Sequence, residues 1–181
     1  LVYARGFGLA DRESGEPVQP NSRFCIASLS KPVTSVAVLQ LVGAGRLKLD
    51  DSVAEILGLE PEVDEKRNRR VTIRQCLQHI GGWDRSDSFD PMFQSIRIAR
   101  VLGTKAPAGP GEVIRFMQKW PLDFDPGTRY AYSNYGYCLL GRVVEKISGQ
   151  SYERYVQKHV LKPMGVTRMR VSRTRIAGRA K

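Results

Sequence analysis

Two residues near the start of the chain have the types and the spacing of a nucleophile and its base. Ser28 and Lys31 are three residues apart, at the point where helical periodicity begins. Residues three apart on a helix lie on one face, so the Lys31 amine could take the Ser28 proton. A serine hydroxyl is a weak nucleophile until a neighbouring base removes that proton. The pair indicates nucleophilic catalysis, although this spacing arises about once by chance in a chain of this length.

A second pair of polar side chains lies far along the chain. Tyr132 and Asn134 follow the strong turn signal Asp125-Pro126-Gly127 and immediately precede a predicted helix. A tyrosine hydroxyl and an amide at that junction could project into a cleft. The alternative is a half-buried tyrosine next to an Asn134 that caps the helix. We favour the cleft, because each pair supplies groups that the other pair lacks.

Three ordered blocks of sequence resemble class C β-lactamase-related serine hydrolases. The first is similar to their nucleophile helix, the second to their second motif, and the third to the segment beyond it. The blocks are Phe24-Cys25-Ile26-Ala27-Ser28-Leu29-Ser30-Lys31 with Leu47-Lys48-Leu49-Asp50-Asp51, Tyr132-Ser133-Asn134-Tyr135-Gly136-Tyr137, and Gly149-Gln150-Ser151-Tyr152 with Leu161-Lys162-Pro163-Met164-Gly165-Val166. The similarity extends from about Val2 to Thr167. Three blocks in the right order are hard to obtain by chance.

The resemblance implies a role for each candidate residue. Ser28 would attack a carbonyl carbon, Lys31 and Tyr132 would share the general base and acid work, and Asn134 would bind substrate. The backbone N–H of Ser28 would be one oxyanion donor. Free tyrosine and lysine titrate near pH 10, so neighbouring charge and burial must lower the pKa of this coupled pair. The resemblance implies no metal and no organic cofactor.

His79 invites a Ser-His interpretation. It lies in Gln78-His79-Ile80-Gly81-Gly82-Trp83, where the family usually has a His-Thr-Ser-Gly segment, and here Ile80 and Gly81 replace the threonine and serine. Because no third catalytic partner is evident, we expect His79 to form hydrogen bonds at a helix end. A catalytic role is the alternative.

Periodicity and turn residues predict an initial sheet segment followed by helices. Val2 to Leu9 is typical of a strand, and a hairpin would lead into Phe24 to Ala27. The charged stretch from Pro61 to Arg70 is expected to be exposed. Helices are predicted from Ser28 to Val42, from the Thr72/Gln75 capping box to about His79, from Met92 to Leu102, from Glu112 to Trp120, from Asn134 to Ile147 and from Tyr152 to Leu161.

The resemblance implies an α+β fold, a β-lactamase/transpeptidase-like antiparallel sheet flanked by helices with a helical lobe. We expect residues 1–181 to form a single domain. The family has a third motif, Lys or His then a small residue and Gly on a strand that lines the cleft, and this chain does not reach it. We therefore expect a fragment that lacks N-terminal and C-terminal sheet strands. Such a fragment would have an incomplete oxyanion site and an exposed edge that favours self-association.

The chain is strongly basic, with 29 Lys and Arg against 18 Asp and Glu and a net charge of +11. One basic run covers Lys66 to Arg70, and a second lies in the C-terminal tail. Neither run alternates with aromatic residues that could stack on bases. We interpret both runs as solvated faces and expect no nucleic-acid partner. The second run is a tail that contains Arg168, Arg170, Arg173, Arg175, Arg179 and Lys181.

The three cysteines, Cys25, Cys76 and Cys138, are too widely spaced for a metal or redox pair. We expect them to be small buried apolar residues. No run of roughly 18 apolar residues predicts a membrane span. The resemblance implies that the parent protein is periplasmic or secreted.

The residues favour a hydrolase that cleaves a small-molecule ester or amide, a β-lactam included, through an acyl-Ser28 intermediate. The resemblance implies an esterase, a β-lactamase or a D-amino-acid peptidase. An esterase or broad hydrolase is preferred, because nothing specifies a pocket for a carboxylate. The alternative is a catalytically silent binding protein on the same scaffold, which would hold a cell-wall peptide or an anionic polymer. The intact Ser28, Lys31 and Tyr132 argue against it. A nucleic-acid-binding module is suggested by net charge alone.

Overall fold

The computed structural model describes residues 3–171 and begins with a short hairpin. Strand β1 (Leu9–Asp11) pairs with antiparallel β2 (Glu16–Pro17), and the Asp11 carboxylate accepts two backbone N–H groups in the turn. The predicted hairpin is therefore present, but its first strand is shorter than predicted and begins at Leu9, where the predicted strand ends. Residues 24–27 form no strand, since no segment within residues 3–171 pairs with them. Val2, where the predicted strand begins, lies outside the described residues.

The nucleophile segment folds as a 3₁₀ turn followed by a helix. The turn spans Ala27–Leu29, and α1 spans Ser30–Gly43, so Ser28 lies just before the helix rather than at its first residue. Helix α1 buries Ala37, Val38 and Leu41 at spacings that share one face. The helix ends where the chain turns at Gly45 (φ +68°).

Three short helices follow: α2 (Val53–Leu57), α3 (Glu65–Asn68) and α4 (Ile73–Leu77). The predicted capping box at the start of α4 is confirmed, because the Thr72 hydroxyl accepts from the Gln75 N–H and the Gln75 amide oxygen accepts from the Thr72 N–H. Helix α4 ends before His79, whose φ of +60° is incompatible with a continuing helix.

The middle of the chain contains α5 (Ser95–Leu102) and α6 (Pro110–Met117), with a 3₁₀ turn at Pro91–Phe93. The single helix predicted from Met92 to Leu102 is thus divided into the 3₁₀ turn and α5. The division arises because the Asp90 carboxylate accepts the Met92 N–H and caps the turn separately. Helix α6 starts earlier than predicted because Pro110 occupies its first turn, where the missing N–H has no cost.

Helix α7 is the centre of the fold. It spans Asn134–Ser148, as the sequence predicted to within a residue, and packs against α1, α2, α4 and α8 (Tyr152–Val156). Its buried face carries Leu139, Leu140, Val143 and Val144. After α8 the chain continues through a π turn (Gln157–Leu161) and a 3₁₀ turn (Lys162–Met164), where one α-helix to Leu161 had been predicted.

The structure corrects two predictions, one about the cysteines and one about the basic run. Cys25 is exposed and so is not a buried apolar residue, whereas Cys76 is buried and Cys138 is half-buried, and all three thiols are free. Within the run from Lys66 to Arg70, Arg67 is not simply solvated, because it pairs with Asp64 and Asp125.

The helical part of the predicted fold is present in the described residues, and strand pairing there is limited to the hairpin and one isolated bridge. No helix between residues 3 and 171 is long and apolar enough to cross a membrane. The basic tail from position 172 onward, with Arg173, Arg175, Arg179 and Lys181, lies outside the described residues.

Candidate active site

Ser28 lies exposed on its 3₁₀ turn, directly after a residue with unusual backbone geometry. Ala27 has a φ of +43°, in the left-handed region that an alanine rarely adopts. Such a conformation costs of the order of 1–3 kcal/mol and persists only where surrounding structure enforces it. The strained residue is adjacent to the predicted nucleophile.

Lys31 is held by hydrogen bonds and by aromatic rings. Its Nζ donates to Ser28 Oγ at 3.3 Å and to Asn134 Oδ1 at 2.6 Å. The same ammonium lies 4.7 Å from the ring centre of Tyr132 and 5.5 Å from that of Tyr137, within the range of cation–π attraction. The helical spacing predicted from sequence therefore brings the amine to the hydroxyl.

Tyr132 reaches the same point from the other end of the chain, with its hydroxyl 2.6 Å from Ser28 Oγ. The backbone on either side of it is anchored to His79. The Ala131 N–H donates to the His79 carbonyl at 2.8 Å, and the Ser133 N–H donates to His79 Nδ1 at 3.1 Å. The two anchors fix the direction in which the tyrosine side chain leaves the backbone.

The pKa of Tyr132 is lowered from its usual value. Hydrogen bonding by Lys31 is the largest cause and the Ser28 hydroxyl is the next, while the positive charges of Lys31 and Arg85 act in the same direction. The guanidinium of Arg85 lies 5.0 Å from the Tyr132 ring centre. Sequence reasoning missed Arg85, because nothing in the chain marks one exposed arginine among 29 basic residues.

His79 lies just beyond the end of α4 and forms hydrogen bonds there, as expected from the sequence. Its ring stacks on Tyr132 with centroids 4.6 Å apart, and its Nδ1 accepts the Ser133 N–H. Burial is the main cause that lowers the pKa of His79, and the nearby Lys31 charge lowers it further. The imidazole is therefore a neutral acceptor at neutral pH, and it has no hydrogen bond to Ser28 among the described contacts.

Asn134 is the first residue of α7, and the helix cap is its neighbour Ser133, whose Oγ accepts from the Gly136 N–H at 3.1 Å. The alternative in which Asn134 is itself the cap is therefore wrong. The Asn134 amide instead accepts from Lys31 and donates through Nδ2 to Asp90 Oδ2 at 2.6 Å. Asp90 was missed too, because a lone aspartate before a proline suggests only a turn.

A pocket of about 170 Å³ lies next to this group and shares Asp90, Ser133 and Asn134 with it. Its Arg85 also lies 5.0 Å from the Tyr132 ring centre, so the pocket borders the group on the side of Tyr132 and Asn134. The apolar part of its wall consists of Trp83, Phe89, Pro91, Met117, Trp120 and Pro121. Within residues 3–171 no cluster of three or more His, Cys, Asp or Glu could hold a metal ion.

All four residues predicted from sequence thus meet at one point. Ser28, Lys31, Tyr132 and Asn134 are joined by hydrogen bonds of 2.6–3.3 Å, although the two pairs are separated by more than 100 positions. A hydroxyl, an ammonium, a phenol and an amide in direct contact can exchange a proton and orient a polar substrate.

Several known proteins are similar to this chain. The chain is 36% identical over 162 residues to a Dichelobacter nodosus protein named "probable fimbrial assembly protein FimD, serogroup H1", covering 88% of this chain and 39% of that protein. It is 32% identical to esterase EstB of Burkholderia gladioli, covering 92% and 43%. The structure of the octameric penicillin-binding protein homologue from Pyrococcus abyssi matches with a TM-score of 0.72 and 34% identity, covering 91% of this chain and 36% of that one.

This chain therefore spans about two-fifths of the length of the relatives it matches. The similarity to the Pyrococcus abyssi structure confirms the β-lactamase/transpeptidase-like fold that the sequence implied. The family model described as beta-lactamase matches residues 1–180. The chain belongs to the beta-lactamase family.

Proposed function

We propose that the protein is a serine hydrolase that cleaves an ester or amide carbonyl through an acyl-Ser28 intermediate. One observation carries this proposal: Ser28 Oγ lies 2.6 Å from the Tyr132 hydroxyl and 3.3 Å from Lys31 Nζ. A serine in contact with both a phenol of lowered pKa and an ammonium is arranged to lose its proton. A catalytically silent binding protein would not require this contact.

In the acylation step, Tyr132 as phenolate takes the Ser28 proton while Oγ attacks the carbonyl carbon. The backbone N–H of Ser28 is assigned as one donor to the resulting oxyanion. The tetrahedral intermediate collapses when Tyr132 returns the proton to the leaving oxygen or nitrogen, whose bond to carbon breaks. Lys31, whose Nζ donates to Ser28 Oγ and lowers the pKa of Tyr132, stabilises the phenolate and shares in the proton transfer.

Deacylation repeats these steps with water. Tyr132 takes a proton from a water molecule, the hydroxyl attacks the acyl carbon, and the proton returns to Ser28 Oγ as the ester bond breaks. Asn134 is assigned to substrate binding, since its amide lies between Lys31 and the pocket. No metal enters either step.

The substrate is proposed to be a small ester, amide or β-lactam. One relative is named an esterase, and another resembles penicillin-binding proteins. The apolar wall of the pocket favours a substrate with an uncharged, apolar acyl group, and we therefore prefer an ester.

Intact-mass spectrometry after exposure to a fluorophosphonate, and separately to a penicillin, tests the proposal. We expect one adduct on the wild-type chain, with the mass of the reagent less HF for the fluorophosphonate and the full mass of the ring-opened penicillin, and no adduct on Ser28→Ala. Ser30→Ala is the matched control, because Ser30 is an exposed serine two residues away and should not affect labelling.

An adduct that persists in Ser28→Ala would place the reactive group elsewhere and overturn the assignment. If neither the wild type nor a longer chain of the same protein reacts, the catalytically silent binding protein becomes the better hypothesis. A preference between the two reagents would separate ester from β-lactam chemistry.

A further inference from the structure

The side chain of Asn134 is held between a cation and an anion. Its Oδ1 accepts from the Lys31 ammonium and its Nδ2 donates to the Asp90 carboxylate, both at 2.6 Å. An ammonium can only donate and an ionised carboxylate can only accept. A flipped amide would therefore place donor against donor and acceptor against acceptor. The two partners together allow a single orientation of the amide.

Asp90 is itself fixed in place. Its Oδ1 accepts the Met92 N–H at 3.0 Å and caps the turn that begins at Pro91. Its two carboxylate oxygens therefore have separate partners, one in its own loop and the other across the site on α7. The residue is half-buried, which strengthens both hydrogen bonds relative to the surface.

Lys31 depends on this arrangement for its own position. No ion pair to Lys31 is present within residues 3–171. Its Nζ donates to Ser28 Oγ at 3.3 Å and to Asn134 Oδ1 at 2.6 Å, and it also hydrogen-bonds the Tyr132 hydroxyl. The shorter bond, to Asn134, is the one that Asp90 orients. A carboxylate thus ends the chain of hydrogen bonds that starts at the ammonium.

We propose that Asp90 is a positioning residue, which acts through Asn134 to hold the Lys31 ammonium beside Ser28 and Tyr132. This inference rests on the proposed function for its kinetic consequences. It adds to that function a residue that does not itself touch the reacting hydroxyl. Asp90 fixes the orientation of the Asn134 amide, and the amide oxygen in turn holds the Lys31 ammonium in position.

Asp90→Asn tests the proposal sharply, because it changes one oxygen and keeps the turn. The new side chain can still accept the Met92 N–H through its own Oδ1. Its Nδ2 then faces Asn134 as a donor where an acceptor stood. Asn134 must turn its oxygen toward position 90 and its Nδ2 toward the Lys31 ammonium, which inverts the wild-type polarity.

The kinetic measurement is the rate constant for fluorophosphonate labelling of Ser28. We expect Asp90→Asn to slow labelling on the order of 10- to 100-fold, by analogy with the loss of a residue that orients a metal ligand through a hydrogen bond. Asp87→Asn is the matched control, since it makes the same charge change three residues away, at a carboxylate that pairs with Arg129. It should label at the wild-type rate.

A double-mutant cycle shows whether Asp90 acts through Asn134. On an Asn134→Ala background, Asp90→Asn should slow labelling no further, because the group it orients is gone. Equal slowing on both backgrounds would overturn the proposal, and so would a wild-type rate in Asp90→Asn. Asp90→Glu should restore part of the rate, since it returns the acceptor.

The Asn134 side-chain NH₂ gives a readout that needs no chemistry at Ser28. Its proton signal in an NMR spectrum should be shifted by the carboxylate in the wild type and in Asp87→Asn, and should move in Asp90→Asn. An unchanged signal would overturn the positioning role. If the signal moves as expected but Ser28 never labels, the proposed function fails while the positioning role remains.

Discussion

Tyr132 is the residue on which the proposed proton chemistry depends. Its hydroxyl contacts Ser28, its ring lies beneath the Lys31 ammonium, and a second cation, Arg85, lies 5.0 Å from the ring centre. His79, which stacks on the ring, is kept neutral by burial and by Lys31. Positive charge beside the ring favours the phenolate, whereas burial of the ring opposes it.

Arg85→Gln should move the pH profile of Ser28 labelling toward higher pH. The base is the phenolate, so the rate is lost as pH falls below the pKa of Tyr132. The Arg85 charge helps to lower that pKa, and its removal raises the pKa. Because Arg85 is exposed, the effect should be about 0.5–1 kcal/mol, a few-fold in rate at neutral pH.

Labelling measured between about pH 6 and about pH 11 checks this prediction, because that range brackets about pH 10, where free tyrosine titrates. The variant and wild type should reach the same rate at the alkaline limit. Arg100→Gln, which removes an exposed arginine from α5, should leave the profile unchanged. A decrease that is equal at every pH would mean that Arg85 acts by contact with the reagent and not through Tyr132.

At the scale of elements, the N-terminus of α7 joins the two halves of the site. Tyr132 lies just before the helix, Asn134 is its first residue, and the cap between them, Ser133, is buried and accepts the Gly136 N–H. The local geometry of one helix start therefore determines where both functional groups point.

Ser133→Ala should cost about 1 kcal/mol of unfolding free energy, as for loss of a helix cap, and should also slow Ser28 labelling. Ser151→Ala is the control, because Ser151 caps α8 in the same way through the Arg154 N–H, away from the site. It should cost similar stability and leave labelling unchanged. Urea unfolding and labelling rates measure the two effects, and equal slowing in both variants would contradict the prediction.

At the scale of the whole molecule, the loop before α5, the end of α6 and the start of α7 enclose the pocket. Its volume is about 170 Å³. An engineered apolar cavity of about 150 Å³ binds benzene. The pocket beside Asn134 is thus large enough for one aromatic ring. Its aromatic walls are formed by Trp83, Phe89 and Trp120.

We expect a phenylacetyl ester to acylate Ser28 at least about tenfold faster than the matching acetyl ester, since burying apolar groups in a pocket gives discrimination of that order. Trp120→Ala should reduce this ratio, while Trp120→Phe should retain most of it. The measurement is kcat/KM for the two esters. A ratio near one in the wild type would show that the acyl group does not enter this pocket.

Much of the helical architecture could be predicted because its signals are local. The capping box at Thr72 and Gln75 and the bounds of α7 depend on neighbours within one or two helical turns, and both are confirmed. The strand predicted over Phe24 to Ala27 was wrong for the opposite reason. A strand requires a pairing partner from elsewhere in the chain, and no segment within the described residues provides one.

The sequence by itself determined the two pairs of functional groups, and the resemblance implied that the pairs meet in one site. Helical spacing places Lys31 beside Ser28, and the turn before α7 places Tyr132 with Asn134. Only the tertiary structure decided that Asp90 and Arg85 join them. Asp90 reaches Asn134 across 44 positions, and its partner is chosen by how the loop before α5 lies against the start of α7. No local pattern encodes that contact, because the carboxylate and the amide come from distant segments that are brought together only when the helices pack.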